Sequence, residues 1–146
     1  MCSDGYFTAT TVRVGAFVVG VQEAGAFYAA REVLPAMVEA GHGTIQLTGA
    51  SASLRGKARF SALAVGKFGL RALAQSMARE FGPQGIHVSH VIIDGQIDTP
   101  GIRTMMPDRE EHTLLSPDAI AETYWQLHAQ DRTAWTLDLR PSVERF

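Results

Sequence analysis

Cysteine is almost absent from this chain of 146 residues, since Cys2 is the only one. An internal disulfide is therefore excluded, and the composition fits a reducing compartment, so we expect a cytoplasmic protein. Long hydrophobic runs are missing too, because the longest, Val14–Val21, is far too short to span a bilayer. The first residues, MCSDGYF, lack the basic and then apolar pattern of a signal peptide.

An excess of charge of either sign is also missing, because the formal net charge is -2. Bulk attraction to nucleic acid or to an anionic membrane is not expected, so we predict neither as a partner. Acidic residues gather in the polar segment 107–116, which contains Asp108, Glu110 and Glu111. This segment predicts either a solvated loop or a lid over the carboxyl ends of the strands.

A glycine-rich phosphate loop is a further absence. Such a loop follows a strand, and its glycines allow backbone N–H groups to approach a pyrophosphate. The Gly-His-Gly at 41–43 precedes a predicted strand, and Gln46 stands where the third glycine would be. The glycines of segment 15–20 have the spacing of a P-loop, but Val21 and Gln22 replace its lysine and hydroxyl residue.

Metal and nucleophile motifs are incomplete. His87 and His90 are three positions apart on a predicted strand, so their side chains face opposite sides and cannot share an ion. We therefore predict no metal site. The Gly-Ala-Ser-Ala-Ser at 49–53 nearly matches the G-x-S-x-G elbow of α/β-hydrolases, but its last glycine is missing and the next helix begins too late. We interpret it as a polar loop that ends a strand.

What is present is an alternation of helices and strands. Residues Ala16–Ala40 have helical spacing in their second half, where Pro35 predicts a kink or an early end, while the stretch 8–21 suits a strand equally well. Further predicted elements are strands at Thr44–Thr48, Ile86–Ile93 and Ala134–Leu139, and helices at Phe60–Phe81 and from Pro117 to Gln130. Strands separated by such helices pair in parallel, which predicts an open α/β sheet covered by helices.

The helix at 60–81 carries a charge within its apolar stripe. Seven residues lie on one face at steps of three and four: Phe60, Leu63, Lys67, Leu70, Ala74, Met77 and Phe81. Lys67 is the charged member, and two interpretations are open. Its methylenes pack while the ammonium reaches water, or the ammonium faces a cleft, where it binds a hydroxyl or tunes the pKa of a neighbour.

Three stretches in order resemble the second half of a short-chain dehydrogenase/reductase (SDR): GTIQLTGASASLRG, KFGLRALAQSMAREFGPQGIHV and IIDGQIDTPG. In that family a strand ends in a catalytic serine, a Tyr-x-x-x-Lys helix follows, and the next strand runs into a Pro-Gly-x-Ile-x-Thr turn. The resemblance implies a three-layer Rossmann-like α/β fold, a doubly wound parallel sheet truncated to its C-terminal half. Residues 1–146 would form a single partial domain that lacks the N-terminal glycine-rich half.

The resemblance also implies roles for individual residues. Lys67 matches the family lysine, which holds the nicotinamide ribose and lowers the pKa of the tyrosine. Leu63 stands at the tyrosine position and cannot exchange a proton, while Ala50 stands at the serine position, with Ser51 one residue later. Gln22 lies near the position of the asparagine that supports the lysine. Lys67 and Ser51 are thus the candidate catalytic residues.

The cofactor end is partly kept under the same resemblance. Gly95, Ile97 and Thr99 match the turn that contacts the nicotinamide carboxamide, although Asp94 replaces its proline. Together with Lys67 these are the candidate cofactor-binding residues, and the implied cofactor is NAD or NADP. Neither the choice between the two cofactors nor the substrate can be inferred from these residues.

Two functions follow from these expectations. The first is an SDR-family oxidoreductase homologue, whose complete relatives transfer hydride between a nicotinamide cofactor and a carbonyl or alcohol. Activity in this chain is expected to be weak or absent, because a positioned general acid contributes ~10²–10⁴ in rate. The second is a non-catalytic oligomerisation or interaction module. In the family, the helices matching 16–40 and 58–82 pack as a four-helix bundle, and a bare sheet edge favours a homo-oligomer or a docked partner.

Overall fold

The computed structural model describes the backbone of residues 9–143 and the side chains of residues 24–143. Cys2 and the side chain of Gln22 lie outside the described residues. In chain order the elements are α1 (Ala9–Ala40), β1 (Gly43–Ala50), α2 (Ser61–Phe81), β2 (Ile86–Ile93), α3 (Pro100–Met105), α4 (Pro117–His128) and β3 (Asp138–Leu139). Within these ranges, no helix combines the length and apolarity that crossing a membrane requires.

The three strands form one parallel sheet in the order β1-β2-β3, which confirms the predicted α/β architecture. β1 and β2 pair along their whole length, from Gly43 opposite Ile86 to Ala50 opposite Ile93. β2 is buried at every position, as a central strand covered on both faces must be. The outer edge of β1 has no strand partner among the described residues.

Helices cover both faces of the sheet, so the fold has three layers. On one face, Ile86 and Val88 of β2 pack with Leu34 of α1 and Leu70 of α2. On the other face, Val91 and Ile93 of β2 pack with Leu127 of α4. The alternation of side chains along β2 therefore supplies two separate apolar clusters from one strand.

The first helix settles the alternative that the sequence left open at its start. α1 is helical from Ala9 to Ala40, so the strand interpretation of segment 8–21 does not hold. The expected early end at Pro35 is also wrong, since the helix continues through it. Pro35 is exposed, so water can satisfy the carbonyl group of Arg31 that loses its helical partner.

The other predicted elements hold, with two corrections. The last strand comprises only Asp138–Leu139, and just before it the Thr136 N–H donates at 2.8 Å to the side chain of Gln130, which follows the end of α4. α3 was not predicted from the sequence. It begins at Pro100 because Thr99 caps it, accepting the Ile102 N–H at 3.3 Å.

The turn between α2 and β2 generates a stability prediction. Gly85 has φ +90°, and a Cβ atom there would lie 2.0 Å from the carbonyl oxygen of Gly41. Gly85→Ala should lower the free energy of unfolding by at least about 2 kcal/mol, because it adds both backbone strain and a clash with backbone. Urea unfolding at equilibrium measures this loss.

Gly82 in the same turn provides the matched control. Its φ is -55° and a Cβ atom would meet nothing within 4 Å. Gly82→Ala should therefore leave the free energy of unfolding unchanged or raise it slightly, because alanine restricts the unfolded chain. Equal losses in the two variants would contradict the described geometry of the turn.

Candidate active site

A cavity of about 490 Å³ opens at the carboxyl ends of β1 and β2. Ser51 borders it from the turn after β1, Leu63 from the first turns of α2, and Asp94 and Gly95 from the segment after β2. Ligands of open parallel sheets bind at this edge, because the connections to the following helices diverge there. We therefore take this cavity as the candidate active site.

Ser51 is held by a charged neighbour. Its hydroxyl donates a hydrogen bond to the carboxylate of Asp94, which also forms an ion pair with Arg140. Burial disfavours the charge on Asp94, but the hydrogen bonds from Ser51 and Arg140 outweigh it and lower the pKa of this carboxyl group. Because the Ser51 hydroxyl donates its one hydrogen to the hydrogen bond with Asp94, its oxygen is left as an acceptor towards the cavity.

Lys67 lies one helical turn beyond Leu63 and is half-buried. Its Nζ donates to the carbonyl oxygen of Thr48 at 2.8 Å, near the end of β1. Burial lowers the pKa of Lys67 from its ordinary value. The ammonium is therefore hydrogen-bonded to the strand. This contact differs from the first interpretation, in which the ammonium simply extends into water.

The predicted site residues are brought together only in part. Ser51 and Gly95 border the cavity, whose described lining does not include Lys67, Ile97 or Thr99. Ile97 bridges to Leu115 and packs in the apolar cluster beneath α4. The Thr99 hydroxyl serves as the cap of α3.

A chain of hydrogen-bonded polar side chains, which we call the histidine relay, lies directly beneath the site and is buried at its His90 and Ser53 end. It consists of Arg71, Asp138, His90 and Ser53. Arg71 Nη2 pairs with Asp138 Oδ2 at 2.8 Å, and His90 Nδ1 lies 3.0 Å from Asp138 Oδ1. On the other side, His90 Nε2 lies 3.3 Å from Ser53 Oγ, which accepts the N–H of Ala50 at 3.1 Å.

The histidine relay resembles a Ser-His-Asp triad in connectivity, but no substrate can reach it. Ser53 and His90 are both 0% exposed, and a Cβ atom at Gly49 would lie 2.2 Å from His90 Nε2. Because Asp138 accepts the proton on Nδ1, Nε2 accepts from Ser53. The relay thus fixes the backbone of Ala50, and it supports the interpretation of segment 49–53 as a loop and not as a hydrolase elbow.

The two strand histidines face opposite sides of the sheet, as their spacing predicted. His87 stacks on Trp135 with ring centroids 4.8 Å apart, whereas His90 belongs to the relay on the other face. No cluster of three or more histidine, cysteine, aspartate or glutamate residues with metal-binding geometry occurs in the described part of the chain.

Sequence reasoning missed the cationic side chains of the cavity. Arg55 and Lys57 follow the turn at 51–53, and Arg109 comes from the acidic segment 107–116. In that segment Asp108, Glu110 and Glu111 are exposed while Arg109 turns inward. The only sequence signal for these cationic side chains was the position of Arg109, a basic residue between Asp108 and Glu110. Nothing in its spacing indicates the direction of its side chain.

The parallel sheet between helical layers, with its cleft at the carboxyl edge, defines the C-terminal half of a Rossmann-like α/β fold. The family described as short chain dehydrogenase matches residues 10–110, and the chain belongs to this family.

Individual relatives agree with the family. The chain is 34% identical over 102 residues to 3-dehydrosphinganine reductase from Arabidopsis thaliana, which covers 68% of this chain and 30% of that protein. It is 30% identical over 112 residues to 3-ketodihydrosphingosine reductase from Dictyostelium discoideum, covering 75% and 33%. The chain thus spans about a third of the length of these curated relatives.

Solved structures show the same likeness. A short-chain dehydrogenase from Rhodopseudomonas palustris is 42% identical with a TM-score of 0.72, covering 91% of this chain and 53% of that one. A 4-hydroxyisoleucine dehydrogenase complexed with NADH has a TM-score of 0.76 at 23% identity, covering 94% and 60%, and this likeness shows the fold alone.

The relay generates a pH prediction. Burial lowers the pKa of His90, although Asp138 opposes this shift. The unfolded chain then binds more protons than the folded chain as the pH falls through about 6.5, so stability decreases from pH 7 to pH 5. The lowered pKa values of Asp94 and Asp138 act below about pH 4, outside this window.

Urea midpoints measured from pH 7 to pH 5 should therefore fall more steeply for the wild type than for His90→Asn. Asparagine can still donate to Asp138 but cannot be protonated. An NMR titration of the His90 ring in the wild type gives an independent reading. A midpoint above 6.5, or equal slopes in the two proteins, would show that the relay does not hold a neutral imidazole.

Proposed function

We propose that this protein is an SDR-family oxidoreductase homologue with weak or no hydride-transfer activity. The observation that carries the proposal is the position of Leu63, which borders the candidate active site one helical turn before Lys67. A hydride delivered to a carbonyl leaves an alkoxide, and the reverse reaction must remove a proton from an alcohol. Leucine can serve neither step, and losing a positioned acid or base lowers the rate by ~10²–10⁴.

Ser51 and Asp94 do not replace the missing proton donor. The proton of Ser51 is committed to Asp94, and the lowered pKa of Asp94 keeps that group a carboxylate at neutral pH. Among the described residues that border the cavity there is no tyrosine, histidine or cysteine. Tyr124 is held elsewhere, since its hydroxyl bonds Thr48 Oγ1 at 2.7 Å on the face covered by α4.

The cofactor we propose is NAD or NADP, whose nicotinamide would supply or accept the hydride. Two observations support binding of the nicotinamide–ribose end. The ammonium of Lys67 uses one donor on Thr48, which leaves two for ribose hydroxyls, and Gly95 borders the cavity. Ile97 and Thr99 belong to the same turn. No glycine-rich loop for the pyrophosphate occurs in the part of the chain that the structure describes, so we expect weak binding.

This proposal treats residues 1–146 as a single partial domain. The presence of only one cysteine is consistent with the cytoplasmic location that we propose for it.

Titration of NADH and NADPH, followed by their fluorescence, tests the proposal. We expect saturable binding only in the millimolar range, and Lys67→Ala should weaken it about tenfold, because hydrogen bonds from a charged donor are lost. Arg79→Ala is the matched control, since the guanidinium of Arg79 bonds only the backbone of its own helix in the described structure. Equal affinities of wild type and Lys67→Ala would remove the role assigned to the lysine.

A non-catalytic interaction module is the second candidate, and a separate observation favours it. α1 and α2 expose large apolar side chains, including Tyr28 at 56%, Val65 at 57% and Phe68 at 45%. The outer edge of β1 offers unpaired backbone groups as well. These surfaces are expected to associate, and the helices at 16–40 and 58–82 would form the interface of a homo-oligomer.

Size-exclusion chromatography with light scattering at tens of micromolar tests this second function. The wild type should be a dimer or larger, and Phe68→Glu should shift it to a monomer, because burying an unpaired carboxylate in an apolar interface is unfavourable. Trp125→Glu is the control, since Trp125 is 62% exposed but lies on α4, across the sheet. A monomeric wild type, or dissociation by both variants alike, would count against the interface.

A further inference from the structure

We propose that the candidate active site binds a small organic carboxylate, with the charged end at a cationic rim formed by Arg55, Lys57 and Arg109. The inference rests on the proposed function, because it names the class of molecule that the same cleft accepts. Three observations support it: the basic side chains at the cavity, the pairing of the Asp94 carboxylate with other groups, and the apolar side chains of the remaining walls.

The rim consists of cations that form no direct ion pair, although the charge of Arg55 also acts on the carboxylate of Asp94. None of Arg55, Lys57 and Arg109 forms an ion pair with a carboxylate of the described residues, although all three border the cavity. An arginine has five N–H donors in a fixed fork that matches a carboxylate. The fork of Arg55, the donors of Arg109 that its protein contacts leave over and the ammonium of Lys57 favour an anionic ligand over a neutral or cationic one.

Arg109 is oriented by uncharged groups. Its Nη1 donates to Gln96 Oε1 at 2.6 Å and its Nε donates to Thr113 Oγ1 at 3.0 Å. These contacts hold the guanidinium at the cavity wall without neutralising it. The side chain is therefore positioned before any ligand arrives, which lowers the entropy lost on binding.

The carboxylate in the cavity wall does not cancel the rim. Asp94 is 6% exposed, and it is already bound by the hydroxyl of Ser51 and the guanidinium of Arg140. Its charge is thus compensated mainly by Arg140, with a smaller contribution from Arg55 of the rim. The charges of Lys57 and Arg109 are left without a direct ion pair to the described residues.

The other walls are apolar and indicate what the anion is attached to. Phe60, Leu63, Ala52 and Val143 border the same cavity, whose volume of about 490 Å³ suits a small molecule. A bare inorganic anion would leave these walls uncovered. A carboxylate on a short hydrocarbon chain satisfies both the rim and the walls.

Calorimetric titration of the full chain with three probes in the absence of nucleotide tests the proposal. The probes are hexanoate, hexan-1-ol and inorganic phosphate. Hexanoate should bind saturably and at least about tenfold more tightly than either of the others. Equal or tighter binding of hexan-1-ol would overturn the role of charge, tighter binding of phosphate would overturn the apolar wall, and no saturable binding of hexanoate would overturn the proposal entirely.

Variants assign the effect to the rim. Arg55→Gln and Arg109→Gln should each weaken hexanoate about three- to tenfold while leaving hexan-1-ol unchanged, since exposed charges are partly screened. Arg79→Gln, on α2 and away from the cavity, should leave both unchanged. Unaltered hexanoate affinity in both rim variants, with urea midpoints like that of the wild type, would refute the assignment.

The two proposals fail separately. Hexanoate binding together with no binding of NADH or NADPH would leave the carboxylate site standing and remove the oxidoreductase function. Nucleotide binding that depends on Lys67, without hexanoate binding, would do the reverse.

Discussion

The hydrogen-bonded chain from Arg71 through Asp138 and His90 to Ser53 is the constraint on which the site depends. It joins α2, β3, β2 and the turn after β1, which are far apart in sequence. Burial of an imidazole and a hydroxyl is unfavourable unless every polar atom finds a partner. Each of the three contacts of the histidine relay supplies such a partner, so the relay is complete only when all four structural elements are in place.

The histidine relay also fixes part of the cleft above it. Ser53 accepts the N–H of Ala50, and this contact sets the turn from which Ser51 reaches Asp94. Arg140, just beyond β3, completes that second cluster. Two ion pairs, Asp138 with Arg71 and Asp94 with Arg140, thus connect segment 138–140 to α2 and to the end of the central strand. Asp94 also accepts the hydrogen bond of the Ser51 hydroxyl, whose oxygen is left as an acceptor.

This arrangement differs from the acid–base chemistry that the family resemblance implies. Leu63 stands at the tyrosine position, the Ser51 hydroxyl donates to Asp94, and Lys67 donates to a strand carbonyl. The same cleft has basic side chains at its rim and apolar side chains along its walls. These features support the proposals of weak or absent hydride transfer and of anion recognition.

The sequence by itself determined the family and the order of the main helices and strands, apart from α3 and the start of α1. The period of apolar residues predicted α2 and β2, and the same alternation placed His87 and His90 on opposite faces of the sheet, because both depend only on spacing along the chain. The identity of residue 63 likewise led to the prediction that the tyrosine of the family is replaced by leucine.

Tertiary structure decided the rest. The partners of His90, the inward turn of Arg109 and the hydrogen bond from the Ser51 hydroxyl to Asp94 all join residues separated by many positions. Periodicity along the sequence carries no information on such contacts, since a side chain's direction in a loop depends on what packs around it. The short last strand shows the same limit, because the side chain of Gln130 accepts the backbone N–H of Thr136, a residue that the local pattern assigned to the sheet.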